Sequence, residues 1–205
     1  MRDTKMKFSK TMLLVSSFLM ITVFPAISQA DEQKYALRFG GVIVDPTSSA
    51  TIRGENAELD TAVGGELNFE WYFSPAWGLD ISSIGAVDVE DIEDDYAIGM
   101  SISPFTVGIN YHPVRTSTVD WSVGAILGAV SYGDFVVDGD NINANTKRDF
   151  AYGLQTSVDL TPASWQHWGF NLGAKYLKSS VELEGSPIEV RVDPLIWRAM
   201  LIYKW

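Results

Sequence analysis

The chain of 205 residues contains no cysteine and only two histidines. The first absence excludes a disulfide framework, a thiolate metal site and a thiol nucleophile. The second leaves little for general acid–base chemistry: His112 and His167 both fall at predicted tight turns, with no serine or carboxylate at motif spacing. Positive charge is scarce as well, 15 Lys and Arg against 26 Asp and Glu for a net −11. A nucleic-acid partner calls for a basic face, so none is expected. There is no Gly-rich phosphate loop; Gly40-Gly41 and Gly64-Gly65 lie inside strand-like runs, where glycine suits a bulge or tight curvature. The run Asp88–Asp95 holds six acids in eight residues but lacks the glycine and ligand spacing of a calcium loop. It reads as a solvated acidic segment, with collection of divalent cations as the alternative. No catalytic residue, metal site or cofactor is therefore expected.

A long apolar run occurs at the N-terminus and nowhere else. Arg2, Lys5, Lys7 and Lys10 precede an apolar stretch from Met12 to Phe24; Pro25 follows, and Ser28 and Ala30 place small residues before Asp31. This is the pattern of a secretory signal peptide, too short for a comfortable membrane span. Residues 1–30 are expected to be cleaved, leaving 31–205 as one exported domain. That domain holds 11 bases and 25 acids, a net −14. It is rich in apolar and aromatic residues yet has no segment able to cross a membrane as a helix. Either it is a soluble β protein or it meets the membrane with strands.

Beyond residue 30 the hydrophobic period is two. Apolar and polar or small residues alternate in 35–44, 61–73, 77–85, 102–112, 119–132, 149–160, 168–177 and 193–205. Most of these eight segments reach about nine residues, the length a tilted strand needs to cross a bilayer. Their links alternate too. Those around Pro75, Pro113 and Pro162 are tight, whereas 45–60, 87–95, 133–148 and 181–190 are longer and polar. This rhythm predicts an eight-stranded antiparallel up-and-down transmembrane β-barrel with short periplasmic turns and longer outside loops.

The aromatics separate that barrel from a soluble sandwich. Trp71, Phe73, Trp77, Tyr111, Trp121, Trp165, Trp168, Tyr203 and Trp205 all lie beside the short turns or the C-terminus, so six of the seven tryptophans fall at one level. An interfacial girdle belongs there. The outward register (Tyr35, Leu37, Phe39, Ile43; Leu67, Phe69, Trp71; Leu172, Ala174, Tyr176; Leu195, Trp197, Leu201, Tyr203) carries no charge, as a lipid-facing wall requires.

An eight-stranded barrel is too narrow for a porin channel; side chains fill it, or it holds one small ligand. The inward register divides into two zones. Near the short turns lie Arg38, Glu66, Glu70, Asp80, Asn110, Asp120, Asp159, Asn171, Lys175, Arg198 and Lys204, five acids and four bases able to neutralise one another as a polar plug. Nearer the loops come Val42, Val44, Ile84, Ile102, Ile126, Val130, Ala151, Leu177 and Ile196, an apolar upper lumen that could take a hydrophobic ligand or pack as an ordinary core. Pro46, Pro104 and Pro194 cannot donate to a ladder and are expected at strand ends, bulges or breaks; a gap there could release a ligand sideways.

The stretches GGVIVDP (40–46), DTAVGGELNFEWYFSPAWGLDIS (60–82) and VDPLIWRAMLIYKW (192–205) resemble the OmpW family of outer-membrane proteins, with SVGAILGAVSY (122–132) and YGLQTSVDL (152–160) as looser matches. The pairs Asp45-Pro46 and Asp193-Pro194 carry the likeness most specifically. The resemblance implies a monomeric barrel that passes small apolar compounds across the outer membrane by lateral exit. The terminal Leu201, Tyr203 and Trp205 resemble the C-terminal signal read by the barrel assembly machinery, with Trp205 where Phe is usual. The acidic 88–95 segment departs from the family, as does the absence of its usual histidine near that loop. Expected partners are outer-membrane lipid, lipopolysaccharide and a small hydrophobic solute. The alternatives are a self-filled barrel acting through its acidic loops, and a lipid-modifying barrel enzyme, which the missing catalytic constellation disfavours.

Overall fold

The computed structural model describes residues 33–47, 50–52, 55–57, 60–93, 96–137, 140–142, 148–182, 189–191 and 193–205. The predicted signal peptide lies outside these residues, as do Asp94 and Asp95 of the acidic segment. In chain order the strands are β1 (Tyr35–Pro46), β2 (Ala50–Ile52), β3 (Glu55–Ala57), β4 (Ala62–Ser74), β5 (Trp77–Ile84), β6 (Val87–Glu93) and β7 (Tyr96–Arg115). They continue as β8 (Val119–Val137), β9 (Asp140–Ile142), β10 (Arg148–Leu160), β11 (Trp168–Lys178), β12 (Ser180–Glu182), β13 (Glu189–Arg191) and β14 (Pro194–Lys204).

Eight of these close a barrel. β5, β4, β1, β14, β11, β10, β8 and β7 pair in that order, and β7 completes the ring by pairing with both β8 and β5. Every pairing in the ring is antiparallel. Partners followed once around the wall run from Tyr72 through Gly78, Asn110, Gly124, Gln155, Lys175, Ile196 and Val44 to Ala62, ten residues further along the same strand. That stagger tilts the strands and sets a bore that side chains can fill. The alternation in sequence becomes alternation across the wall: β14 reads buried at Ile196, Arg198, Met200, Ile202 and Lys204, with Trp197, Ala199 and Leu201 exposed.

The short turns match the sequence. Pro75 and Ala76 link β4 to β5. Thr116 closes the next turn by accepting the Val119 backbone N–H at 2.9 Å. Gln166, at φ 52°, lies in the third. The two ends of the domain are joined, with Lys34 and Tyr35 donating their backbone N–H groups to the Trp205 carbonyl.

The long segments depart from the expectation of open loops. Acidic residues 87–93 form β6, which pairs with β7 from Tyr96 to Ile102, and β8 runs on to Val137. The alternating Val87, Val89 and Ile98, Met100 give these extensions strand character despite their charge. Pro46 ends β1 and Pro194 begins β14, directly opposite each other. Pro104 is different: it sits within β7, in register with Val130 of β8. The expected interruption falls on the neighbouring strand, where β5 stops at Ile84 and β6 starts at Val87, while β7 passes unbroken. A proline can occupy a continuous strand when the side facing its ring nitrogen has no ladder to supply.

Candidate functional site

The interior is built in two storeys. The lower one is a network of charged and amide side chains, all buried. Arg38 of β1 stands at its centre. Its Nε donates to Asp159 Oδ1 at 3.1 Å and Nη1 to Asn68 Oδ1 at 2.9 Å; Nη2 reaches Asp159 Oδ2 at 2.8 Å and Glu70 Oε2 at 2.7 Å. This uses the planar guanidinium fork against β4 and β10 at once. Lys204 Nζ lies 3.0 Å from both Asp120 and Asp159. Asn171 Nδ2 donates to Asp159 at 2.6 Å and Asn110 Nδ2 to Glu70 at 2.6 Å. Charges out of water persist only with such partners on every side.

His112 corrects the sequence reading. It is not an idle turn residue but a buried member of β7, with Nδ1 2.6 Å from Asp120 Oδ1 and Nε2 3.2 Å from Glu70 Oε1. Arg115, three residues nearer the turn, stacks 3.7 Å over the Tyr72 ring and donates to the Gln33 carbonyl at 2.6 Å. Together they floor the barrel at its short-turn end. His167 does sit in a turn, its Nδ1 2.8 Å from the Lys204 carbonyl oxygen.

Above this floor a second cluster spans the bore. Lys175 Nζ donates to Glu66 Oε1 and to Ser82 Oγ, each at 2.6 Å, and Arg198 Nη1 to the same Glu66 oxygen at 3.4 Å. Gln155 Nε2 bridges Asn110 and Asp80, and Asn68 donates to Asp80. Glu66 Oε2 and Arg198 Nε have no partner among the described residues. Tyr72, Asn68, Ser82, Thr106, Ser122, Gln155 and Ser157 are buried here too, although the sequence reading passed over them. The signal was present: all occupy the inward register of their strands, but a search for charges leaves neutral polar residues uncounted.

The upper storey begins at once above Glu66, Lys175 and Arg198. Val42, Val44, Ile84, Ile102, Ile126, Val130, Ala151, Leu177 and Ile196 all point inward, joined by Val87 of β6, and none is more than 2% exposed. They are packed against one another. Over them Tyr132 Oη donates to Ser179 Oγ at 2.9 Å, and the Ser179 N–H donates to Asp193 Oδ1 at 3.2 Å. The wall is weakest beside this storey. β4 pairs with β5 only as far as Glu66↔Ile84; above that, Gly85 donates one backbone bond to Gly65 at 3.0 Å, and β6 pairs with β7. At Gly64 an added Cβ would come 2.5 Å from the Val87 side chain, so the seam closes by side-chain contact on a glycine.

Outside, the wall is apolar and the aromatics gather at the short-turn end. Trp71, Phe73, Trp77, Trp165, Trp168 and Trp205 are exposed. Ring contacts link Trp77 to Tyr111, Trp71 to Phe73, Trp168 to Tyr203, and Tyr203 and Tyr35 to Trp205. Among the described residues no group of His, Asp and Glu could hold a metal ion.

No protein-family model matches the sequence, and no curated protein does. Solved structures do match. The outer membrane protein OprG from Pseudomonas aeruginosa superposes with a TM-score of 0.63 at 17% identity, covering 84% of this chain and 96% of that one. Neisserial surface protein A gives 0.60 at 10% identity, covering 83% and 97%. Ail, the attachment invasion locus protein of Yersinia pestis, gives 0.52 at 12% identity, covering 85% and 99%. At these identities the likeness establishes the fold: this chain is a closed eight-stranded antiparallel β-barrel of the kind found in outer-membrane proteins.

Proposed function

We propose that the protein is an outer-membrane barrel of the OmpW type that binds or passes small hydrophobic molecules through its upper lumen, with exit sideways into the bilayer. One observation carries the reading: within a single bore the lining changes from charged to wholly apolar. The interior of a membrane barrel is ordinarily polar, and the lower storey shows that this chain can build that solution. An apolar storey over a sealed floor suits a solute that enters from outside and cannot continue to the periplasm. The seam at Gly64, Gly65 and Gly85 supports a lateral path, because side-chain contact and one backbone bond hold it where a full ladder holds its neighbours. In this reading residues 1–30 direct export and are removed. Trp205 is read by the assembly machinery, lipopolysaccharide surrounds the outer rim, and the barrel works as a monomer without enzymatic activity.

The test uses the absence of native cysteine. Liposomes carrying the full barrel should take up the hydrophobic probe N-phenylnaphthylamine faster than empty ones. Joining Gly65→Cys to Gly85→Cys by a disulfide should remove the gain, and reduction should restore it. Uptake no faster than in empty liposomes, with no effect of the lock, would sink the proposal. A second reading has its own support: the upper side chains are packed, and the long segments carry 16 acids against 3 bases. That is a self-filled barrel acting through its acidic rim, and one fold neighbour is named for attachment and invasion. It predicts no uptake, together with loss of surface binding when the acids of 88–95 are neutralised.

A further inference from the structure

A groove of about 600 Å³ lies on the outside of the wall, across β1, β14, β11 and β10. Small residues make its bed: Gly41 opposite Ala199, and Ala174 opposite Trp197. Ile43, Leu172 and Trp197 stand around it, all exposed. The strands beneath pair without a register shift from β4 to β10, so the groove does not communicate with the lumen. Whatever fills it comes from the membrane. Its size is that of a small-molecule site, on the order of 300–1,000 Å³.

Trp197 makes this more than a recess. It is the one tryptophan away from the girdle, six residues up β14 from Tyr203. Six residues are about 20 Å of strand, or about 15 Å of height at the usual tilt, inside an apolar band about 25 Å tall. Tryptophan normally sits where its N–H can reach water or headgroups. Here the indole is half-exposed at hydrocarbon depth and makes no hydrogen bond or ring contact among the described residues. The neighbouring polar group in the groove is treated differently: Thr156 Oγ1 donates to the Ser122 carbonyl at 2.8 Å and accepts from Trp121 Nε1 at 3.1 Å. An acyl chain would fill the space but leave the Trp197 N–H unpaired in hydrocarbon, which is costly.

We propose that this groove is a binding site, reached from the bilayer, for a small apolar molecule carrying one hydrogen-bond acceptor such as a carbonyl, which takes the Trp197 Nε1–H. The site stands independently of transport through the lumen. It is tested with the full barrel in DMPC nanodiscs by the indole 15N–1H resonance of Trp197, identified by its loss in Trp197→Phe. Titration with 2-undecanone should shift this resonance saturably, and undecane should not. Gly41→Leu should weaken the response at least about tenfold by filling the bed. That variant should fold, because a Cβ at Gly41 meets nothing nearer than 4.0 Å; Ala199→Leu provides a second filling change. Trp197→Phe should cost about fivefold in retention of the ketone, one hydrogen bond's worth. An equal response to undecane would mean that hydrocarbon alone occupies the groove. A shift that follows protein concentration without ketone would mean that a second copy covers it. A response unchanged in both filling variants would place the ketone elsewhere. Any of the three overturns the proposal.

Discussion

The two storeys of the bore bury side chains equally well and do so by opposite means. Below, specificity is directional: Arg38 reaches two other strands, β4 and β10, at fixed angles, and each carboxylate has a donor placed for it. Above, Ile84, Ile126, Leu177 and Ile196 meet by shape alone. A directional network has one good arrangement, and a fault in it strands a charge. An apolar packing has several near-equal arrangements, and side chains can change rotamer without leaving a group unsatisfied. The difference fits a fixed seal at the short-turn end and a part able to rearrange at the end of the long segments. Volume-conserving changes in each storey break or sharpen that contrast.

The largest effect is expected where shape is kept and charge is lost. Asp159→Asn preserves volume but removes the carboxylate shared by Arg38 and Lys204, and should cost about 3–5 kcal/mol, the usual result of breaking a buried pair. The midpoint of urea unfolding in lipid vesicles measures it. A loss below about 1 kcal/mol would show that the lower storey is not held by its ion pairs. Next comes His112→Leu, which leaves Glu70 and Asp120 each short of a partner and should cost about 2–3 kcal/mol. In the upper storey Leu177→Met keeps volume and polarity together and should cost less than about 1.5 kcal/mol. If Leu177→Met proves as damaging as Asp159→Asn, the upper storey is a jigsaw as strict as the lower one, and the case for a rearranging lumen weakens.

How far the sequence reveals this division depends on what decides each residue. Strand alternation is set locally, so Arg38, Val42 and Ile196 can be assigned to the inside from their own neighbours. The barrel's stagger then fixes which strands share a level, and the eight segments with their short and long links already imply the closure. Partners are another matter. His112 precedes a proline at a predicted turn and reads as a residue without a role; its burial depends on Glu70 and Asp120 arriving from β4 and β8, which nothing near His112 announces. Pro104 reads as a break because proline cannot donate. Only the gap between β5 and β6 shows why β7 continues past it. The acidic 87–93 run reads as loop by charge, yet strand extension of the β6–β7 hairpin prevails. Packing within the upper lumen was likewise beyond reach, since inward direction says nothing about whether space remains.

The smallest effect is expected at the Tyr132–Ser179 hydrogen bond. Tyr132 and Ser179 lie above the apolar layer, on β8 and just past β11, and their hydroxyls meet at 2.9 Å with only β10 between their strands. Tyr132→Phe removes this bond and keeps the ring. By itself it should cost about 0.5–1.5 kcal/mol, and Ser179→Ala about the same. If the bond couples the two strands, the double variant should cost little more than either single one, and a double-mutant cycle reads that non-additivity. The functional expectation runs opposite to the stability one: a bond that holds the lumen shut, once removed, should raise probe uptake into liposomes while the lower seal stays intact. Additive losses with unchanged uptake would make the Tyr132–Ser179 pair a rim contact, and any opening of the upper storey would then have to be sought at the Gly64–Val87 seam alone.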